Sequence, residues 1–427
     1  MRAIALAATC LLLACGGAGN NAAVTLRFWA MGHEAEVVAP LVREFERAHP
    51  GIRVDLQQIP WTAAHEKLLT AYVGNATPDV AQLGNTWVPE LAILHAIAPL
   101  DSLLRASPDV PPAGFFPGIW DTNVIEGRVF GIPWYVDTRL IFYRTDLLAR
   151  TGSKQMPGTW AGWRQVMERL HSDGKPRGYP LLMPLNEWAQ PVLLALQAGS
   201  PILKDGGRYG AFTDSAFAHA FHFYVGLYRD SLAPKVANTE VANLYQDFAR
   251  GMIASYITGP YNLDEFRKRL PDSLQDRWAT APMPGPDGPG VSLAGGSSLV
   301  LFRRSAHPAE AWELIRFLSA PAQQARFFHL SGNLPARREA WQDSTLRADP
   351  KVGAFRQQLE RVVPTPKVAE WELIATRITE AGERAVRGGQ SEQQALATLE
   401  AQVNAILAKR RTLLEHRGGQ LLEWEAP

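Results

Sequence analysis

Cysteine is almost missing from this chain. Its 427 residues carry two, Cys10 and Cys15. The remainder can therefore build neither a disulfide framework nor a cysteine metal cluster. A charge excess is missing as well: Lys and Arg number 43, Asp and Glu 42. The two sums become equal once a leader containing Arg2 is removed. That balance excludes the basic excess of an electrostatic nucleic-acid binder. No apolar run after the N-terminus is long enough to span a bilayer. There is no internal repeat, heptad run or low-complexity block. G-x-x-x-x-G-K-[ST], G-x-S-x-G and H-E-x-x-H are also absent, so no nucleotide loop, hydrolase elbow or zinc helix is expected. Neither a cofactor nor a metal is implied.

What is present starts with size. A chain of 427 residues exceeds one ordinary core and suits two or three domains. Apolar residues make up 46% and charged residues 20%, as in a soluble globular protein. Tryptophan is in surplus at 13. Most Trp side chains pack cores, but a surplus suits a site built of flat aromatic faces.

The N-terminus is the most specific local signal. Met1-Arg2 is followed by an apolar stretch, Ala3 to Ala14, too short for a lasting transmembrane helix. It closes on Leu12-Leu13-Ala14-Cys15, which resembles the lipobox of bacterial lipoproteins, where the Cys is acylated and becomes the first mature residue. Residues 16–23, Gly-Gly-Ala-Gly-Asn-Asn-Ala-Ala, read as a flexible tether. The alternative is an ordinary secretory leader with a chance Cys.

After the tether, short strands alternate with amphipathic helices, the pattern of α/β layers. Val24 to Phe28 alternates as a strand. Val37, Leu41 and Phe45 recur at helical spacing, with Pro40 tolerable only in a first turn. Ile52, Val54 and Leu56 form a second strand. Thr62 is placed to cap a helix with His65, Leu68, Leu69 and Tyr72, and residues 79–83 form a third strand. Such a run makes a mostly parallel sheet. Residues 129–143 read as extended chain, too long for one strand and able to cross between two lobes. Thr159 caps a helix bearing Trp160, Trp163 and Val166. Phe217, Phe221 and Tyr224 mark another. Residues 281–290 are the most Pro/Gly-rich and read as a loop. Leu396, Leu399, Val403 and Ile406 lie on one face of a C-terminal helix, as packed core.

Several segments, in order, resemble a known family. They are Leu26-Arg27-Phe28-Trp29 and residues 45–54 (FERAHPGIRV), then Thr77-Pro78-Asp79-Val80 and Leu100-Asp101. Residues 127–133 (GRVFGIP) lead to 142–148 (FYRTDLL), and Pro157-Gly158-Thr159-Trp160 and 248–254 (FARGMIA) follow. Gly295-Gly296-Ser297-Ser298 precedes 311–318 (AWELIRFL). Together they resemble the family 1 extracellular solute-binding proteins, the maltose- and trehalose-binding type of ABC importers. The resemblance covers nearly all of the chain after the tether. It implies an α/β fold of two lobes, each formed by two chain segments and a mostly parallel sheet, joined by a hinge. The expected division is 1–15 leader, 16–23 tether, 24–138 with 290–338 as the N-terminal lobe, and 139–289 with 339–427 as the C-terminal lobe. Crossings fall near Pro133 to Arg139, Pro284 to Leu293 and Asn333 to Trp341. The implied role is capture of a di- or oligosaccharide and delivery to a permease whose ATPase is a separate chain. The expected form is a monomer held to a bacterial membrane through a lipid on Cys15, outside the cytoplasm, without enzymatic activity and without nucleic acid.

A neutral sugar needs aromatic planes for its C–H faces and fixed polar groups for its hydroxyls. Tyr135, Asp137 and Arg139 alternate along the extended segment and point to one face; a structural Asp–Arg pair is the alternative. His33 and Glu34 follow the first strand, where open α/β sheets bind ligands, although Glu34 also suits a helix start. Asn85 and Trp87 follow the third strand. Asn186-Glu187-Trp188 is a polar-aromatic turn of the second lobe. The resemblance implies a stacking ring at Gly259-Pro260-Tyr261-Asn262, here Tyr261. Gly295, Gly296 and Ser297 bring backbone close to a ligand, and Asn333 and Trp371 complete the candidates. Trp61, Trp160, Trp163 and Trp312 read as packing. Rival readings are another small solute, such as a monosaccharide, a polyol or a glycerol phosphodiester, and a glycosidase using Glu34 and Asp137.

Overall fold

The computed structural model describes residues 23–172 and 178–422. Cys15 and residues 16–22 of the tether lie outside the described residues. No helix among the described residues is long and apolar enough to cross a membrane.

The chain opens as read. β1 (Val24–Met31) runs into α1 (Gly32–Ala48), then β2 (Ile52–Ile59), α2 (Trp61–Val73) and β3 (Val80–Gly84). β1 pairs in parallel with both β2 and β3. α1 turns Ala35, Val38, Leu41, Val42 and Phe45 inward. Each large apolar side chain so buried contributes roughly 1.5–3 kcal/mol. This face explains why the helix starts at Gly32 and carries Pro40 in its interior, against the expectation that Pro40 marks a first turn. An interior proline costs about 3 kcal/mol, less than the five-residue stripe supplies. Thr62 does not cap α2, whose N-cap is Pro60. Thr159 does cap α3 (Trp160–Ser172), its hydroxyl accepting from the Gly162 N–H at 3.1 Å.

The long extended segment splits into two strands in two different sheets. β4 (Ile132–Asp137) belongs to a six-stranded sheet and β5 (Leu140–Arg144) to a three-stranded one. β6 (Ser255–Thr258) and β7 (Trp278–Ala281) flank β5. The chain then returns to the first sheet as β8 (Gly295–Leu301), between β3 and β4, and again as β9 (Leu334–Pro335) at its edge. The order in the large sheet is β9-β4-β8-β3-β1-β2. The result is a two-lobed α/β fold.

Strand direction departs from the mostly parallel expectation. The parallel pairing holds for β1, β2 and β3, but β8 runs antiparallel to β3 and β4. β5 is antiparallel to both neighbours, beside isolated parallel bridges at Tyr179–Ile253 and Leu182–Tyr256. Strands that re-enter a sheet from the other lobe arrive from the cleft end, so they run against the opening β-α-β strands.

α5 (Pro308–Ser319) packs on β4 and β8 of the first lobe, and the second lobe packs α4 (Ser215–Arg229), with Phe217, Phe221 and Tyr224 buried, against α6 (Trp371–Val386) and α7 (Glu392–Ile406). α8 (Ala408–His416) follows α7. One apolar cluster runs from Phe28 and Trp134 in the first lobe to Phe142, Phe266 and Trp278 in the second. The two lobes thus share packing beside the crossing strands.

Candidate functional site

A cavity of about 680 Å³ lies between the lobes, at the carboxyl ends of β1, β3 and β4. Its first wall starts at Gly32. This residue has φ +51°, and a Cβ there would stand 2.7 Å from Trp61 Cδ1. Only glycine permits both the turn and the approach of the indole. Trp61, the first residue of α2, then donates its Nε1–H to Glu34 Oε2 at 3.3 Å. Glu34 Oε1 accepts from the Tyr135 hydroxyl at 3.0 Å and from Asn333 Nδ2 at 3.2 Å. Behind Tyr135 lies Gln82, fully buried. Its Nε2 donates to Tyr135 Oη at 3.0 Å and to Ser297 Oγ at 3.1 Å, and its Oε1 accepts from Met31 N at 2.8 Å. Burial, reinforced by the Glu34 charge, pushes the Tyr135 phenol well above its ordinary range. It stays a proton donor toward Glu34.

The second wall is charged at its centre. Arg139 Nη1 lies 2.9 Å from both Asp137 oxygens. Burial works against the Arg139 charge, but the Asp137 carboxylate more than restores it, and the guanidinium is held above its ordinary range. Ser292 fixes the Arg139 backbone from both sides: its Oγ accepts from Arg139 N at 3.2 Å and donates to Arg139 O at 2.8 Å. The Tyr261 ring is half exposed, and Arg139 Cζ sits 5.9 Å from its centroid. Thr258 Oγ1 donates to Tyr261 Oη at 3.0 Å. Gly259 makes this arrangement possible. A Cβ there would meet Asp137 Oδ1 at 2.4 Å, Tyr261 Cε1 at 2.7 Å and Arg139 Nη1 at 2.9 Å.

The floor is backbone. Gly295 pairs with Asp137 and Gly296 with Val136. Gly296 has φ +128°, and a Cβ there would lie 2.2 Å from Tyr135 O. Asn85 Nδ2 donates to Ala294 O at 2.8 Å. Across the mouth, the Thr86 hydroxyl of the first lobe donates to Glu372 Oε1, in the first turn of α6, at 2.7 Å.

The structure brings most of the sequence candidates together on this wall. His33, Glu34, Asn85, Trp87, Tyr135, Asp137, Arg139, Trp188, Tyr261, Gly295, Gly296, Ser297 and Asn333 all line the cavity, although the His33 ring is turned to Glu36 at 3.1 Å. Four candidates lie off the wall. Asn186 Oδ1 accepts from Asn238 N at 2.7 Å. Glu187 is bound by Asn238 Nδ2 at 2.6 Å and Gln190 Nε2 at 2.8 Å. Asn262 is buried, bonded to Thr258 and Tyr245, and supports Tyr261 from behind. Trp371 is core, edge-on to Trp188 at 5.4 Å.

Sequence reasoning missed Trp61, Thr86, Thr365 and Glu372, all on the wall. The signal for Trp61 was present: it is the second residue after β2, so the strand-end rule used for Glu34 applies to it. Trp61 and Trp87 stand 5.6 Å apart and form an aromatic corner. Thr365 and Glu372 reach the cavity from distant chain, with no local sign. Among the described residues no three His, Cys, Asp or Glu side chains gather to hold a metal.

A family model described as bacterial extracellular solute-binding protein matches residues 32–325. The solved structure of the sugar-binding protein MalE from Xanthomonas citri is 50% identical, with a TM-score of 0.89 over 92% of this chain and 99% of that one. The diacetylchitobiose binding protein DasA of Streptomyces coelicolor is 25% identical over 413 residues, 92% of each chain. An uncharacterised lipoprotein of Streptomyces antibioticus is 27% identical over 361 residues, 80% of this chain and 78% of that one.

Proposed function

Because this chain belongs to the bacterial extracellular solute-binding proteins, we propose that it is the sugar-binding component of an ABC importer. It takes a di- or oligosaccharide into the interlobe cavity and hands it to a permease powered by a separate ATPase chain. The observation that carries this reading is the composition of the wall. Trp61 and Trp87 face the cavity from one lobe, Trp188 and Tyr261 from the other. Between them lie fixed hydrogen-bonding groups: Glu34, Asp137, Arg139 and Asn333. Flat faces on both sides with polar groups between match a sugar ring with its equatorial hydroxyls. A ligand that touches both lobes favours the closed form, and closure is the signal a transporter reads. The lobes take residues 24–138 with 290–338, and 139–289 with 339–427.

Two rivals fit less well. The charged groups on the wall are Glu34, Asp137 and Glu372 against Arg139, with His33 beside them, and Arg139 is already ion-paired. A phosphodiester would meet more carboxylate than cation. For a glycosidase, one carboxyl must hold a proton for the leaving group. Asp137 is ion-paired and Glu34 accepts three hydrogen bonds, so neither stands free toward a leaving group. The chain works outside the cytoplasm as a monomer, held to a membrane through a lipid on Cys15.

A thermal-shift screen of residues 16–427 tests the reading, using mono-, di- and oligosaccharides, polyols, amino acids and glycerophosphodiesters. A hundredfold excess over Kd adds about 2.7 kcal/mol to a folded state that alone binds the ligand. A rise confined to one sugar class and lost in Tyr261→Ala identifies the substrate. A rise with an amino or phosphorylated compound and none with any sugar overturns the reading.

A further inference from the structure

The described chain enters the fold at a corner rich in guanidinium groups. Val24 N donates to Gly51 O at 2.8 Å, and Thr25 pairs with Arg53. The groove at this corner is lined by Arg43, Glu46, Arg47, Pro50 and Arg53, and the three arginines are exposed. Arg47 Nε donates to Arg43 O and Arg53 Nη1 to Ile52 O, both carbonyls. Of the acids nearby, only Glu44 has a cationic partner outside the groove, while Glu46 and Asp55 keep their charge beside the arginines. Glu46 accepts from Val54 N, Glu44 pairs with Arg326 and Gln323, and Asp55 accepts from Gln57. The groove lining still sets three guanidiniums against the one carboxylate of Glu46, a local positive excess on a chain whose charges otherwise cancel.

We propose that this corner is a membrane-facing surface that meets anionic phospholipid headgroups. The proposal rests on Cys15 as the lipid anchor. Eight residues, 16–23, separate Cys15 from Val24, and each spans at most about 3.6 Å, so the corner stays within about 30 Å of the lipid. Screened attraction acts over about 8 Å, and a tether of this maximum length allows the corner to come within that distance. Each arginine near an anionic surface favours the contact about fivefold. That is weak for a free protein, but the anchor already supplies the local concentration, so the charges orient the molecule rather than recruit it. The orientation has a use. Val24 starts β1 and the cavity lies beyond its other end, at Met31, seven residues away at about 3.3 Å each. Turning the arginine corner to the bilayer turns the cleft away from it.

The test couples residues 15–427, through the single thiol of Cys15, to a maleimide lipid in vesicles. Arginines are then labelled with phenylglyoxal and read by mass spectrometry. On vesicles of 3:7 phosphatidylglycerol:phosphatidylcholine, Arg43, Arg47 and Arg53 label at least threefold more slowly than on pure phosphatidylcholine, and 0.5 M NaCl abolishes the difference. Arg150 and Arg250, exposed on the second lobe, label equally on both. Equal labelling of Arg43, Arg47 and Arg53 on the two vesicles overturns the surface. An unlipidated N-terminal peptide in the native protein instead overturns the anchor, a separate result.

Discussion

Glu372 and Thr86 join the two lobes across the mouth of the cavity through a 2.7 Å hydrogen bond, although 286 residues separate them in the chain. It forms only when the lobes are closed at this edge. Its energy therefore belongs to the open–closed equilibrium, and it adds to ligand affinity whichever sugar is bound.

Glu372→Ala and Thr86→Val should each raise Kd about three- to tenfold, the size of one partly exposed hydrogen bond to a charged group. Stopped-flow measurements should place the change in the dissociation rate. The factor should match for several sugars, and the double variant should be no worse than either single one. A factor that differs between sugars would instead make Glu372 a direct ligand contact.

Gly259→Ala should weaken sugar binding tenfold or more while lowering Tm only slightly. The added methyl meets Asp137 Oδ1, Tyr261 Cε1 and Arg139 Nη1, so the ion pair and the ring must part. Calorimetric titration beside a melting curve separates the two effects, and unchanged affinity would remove this trio from the site.

His65 Nε2 bonds Glu90 Oε2 at 2.6 Å, and this hydrogen bond, against the cost of burial, raises the imidazole pKa. A raised folded value means the stabilisation is fully present below the unfolded pKa of about 6.5. It is lost as pH climbs through the folded value. His65→Gln should therefore cost about 1 kcal/mol at pH 5.5 and much less at pH 9. Melting curves at both pH values decide it; an equal loss at both would show that the charge contributes nothing.

The Glu126 carboxylate accepts from Leu421 N and Leu422 N, each at 2.9 Å, and Leu422 is buried against the first lobe. The chain leaving α8 is thereby tied across to the other lobe. Glu126→Ala should release it at a cost of about 1–3 kcal/mol. Hydrogen exchange at Leu421 and Leu422 should accelerate at least tenfold; unchanged protection would mean that burial of Leu422 alone holds the segment.

Periodicity carried much of the architecture in the sequence itself. The alternation of Val24 to Phe28 and the stripe through Leu41 and Phe45 commit those segments to strand and helix, because each must bury one face. Tyr135, Asp137 and Arg139 were legible as one face of an extended segment for the same reason. The family resemblance was legible in ordered segments such as FERAHPGIRV and GRVFGIP. What no local pattern contained was the partner of each polar group. Glu187 has the same chemistry as Glu34, yet it is consumed by Asn238 and Gln190, while Glu34 faces the cavity. Trp371 sits in the core and Trp61 on the wall, although their local contexts suggested the reverse. Glu372 joins the site from nearly three hundred residues beyond Thr86. Burial and hydrogen-bond satisfaction depend on which segments meet, and only the folded pair of lobes brings those segments together.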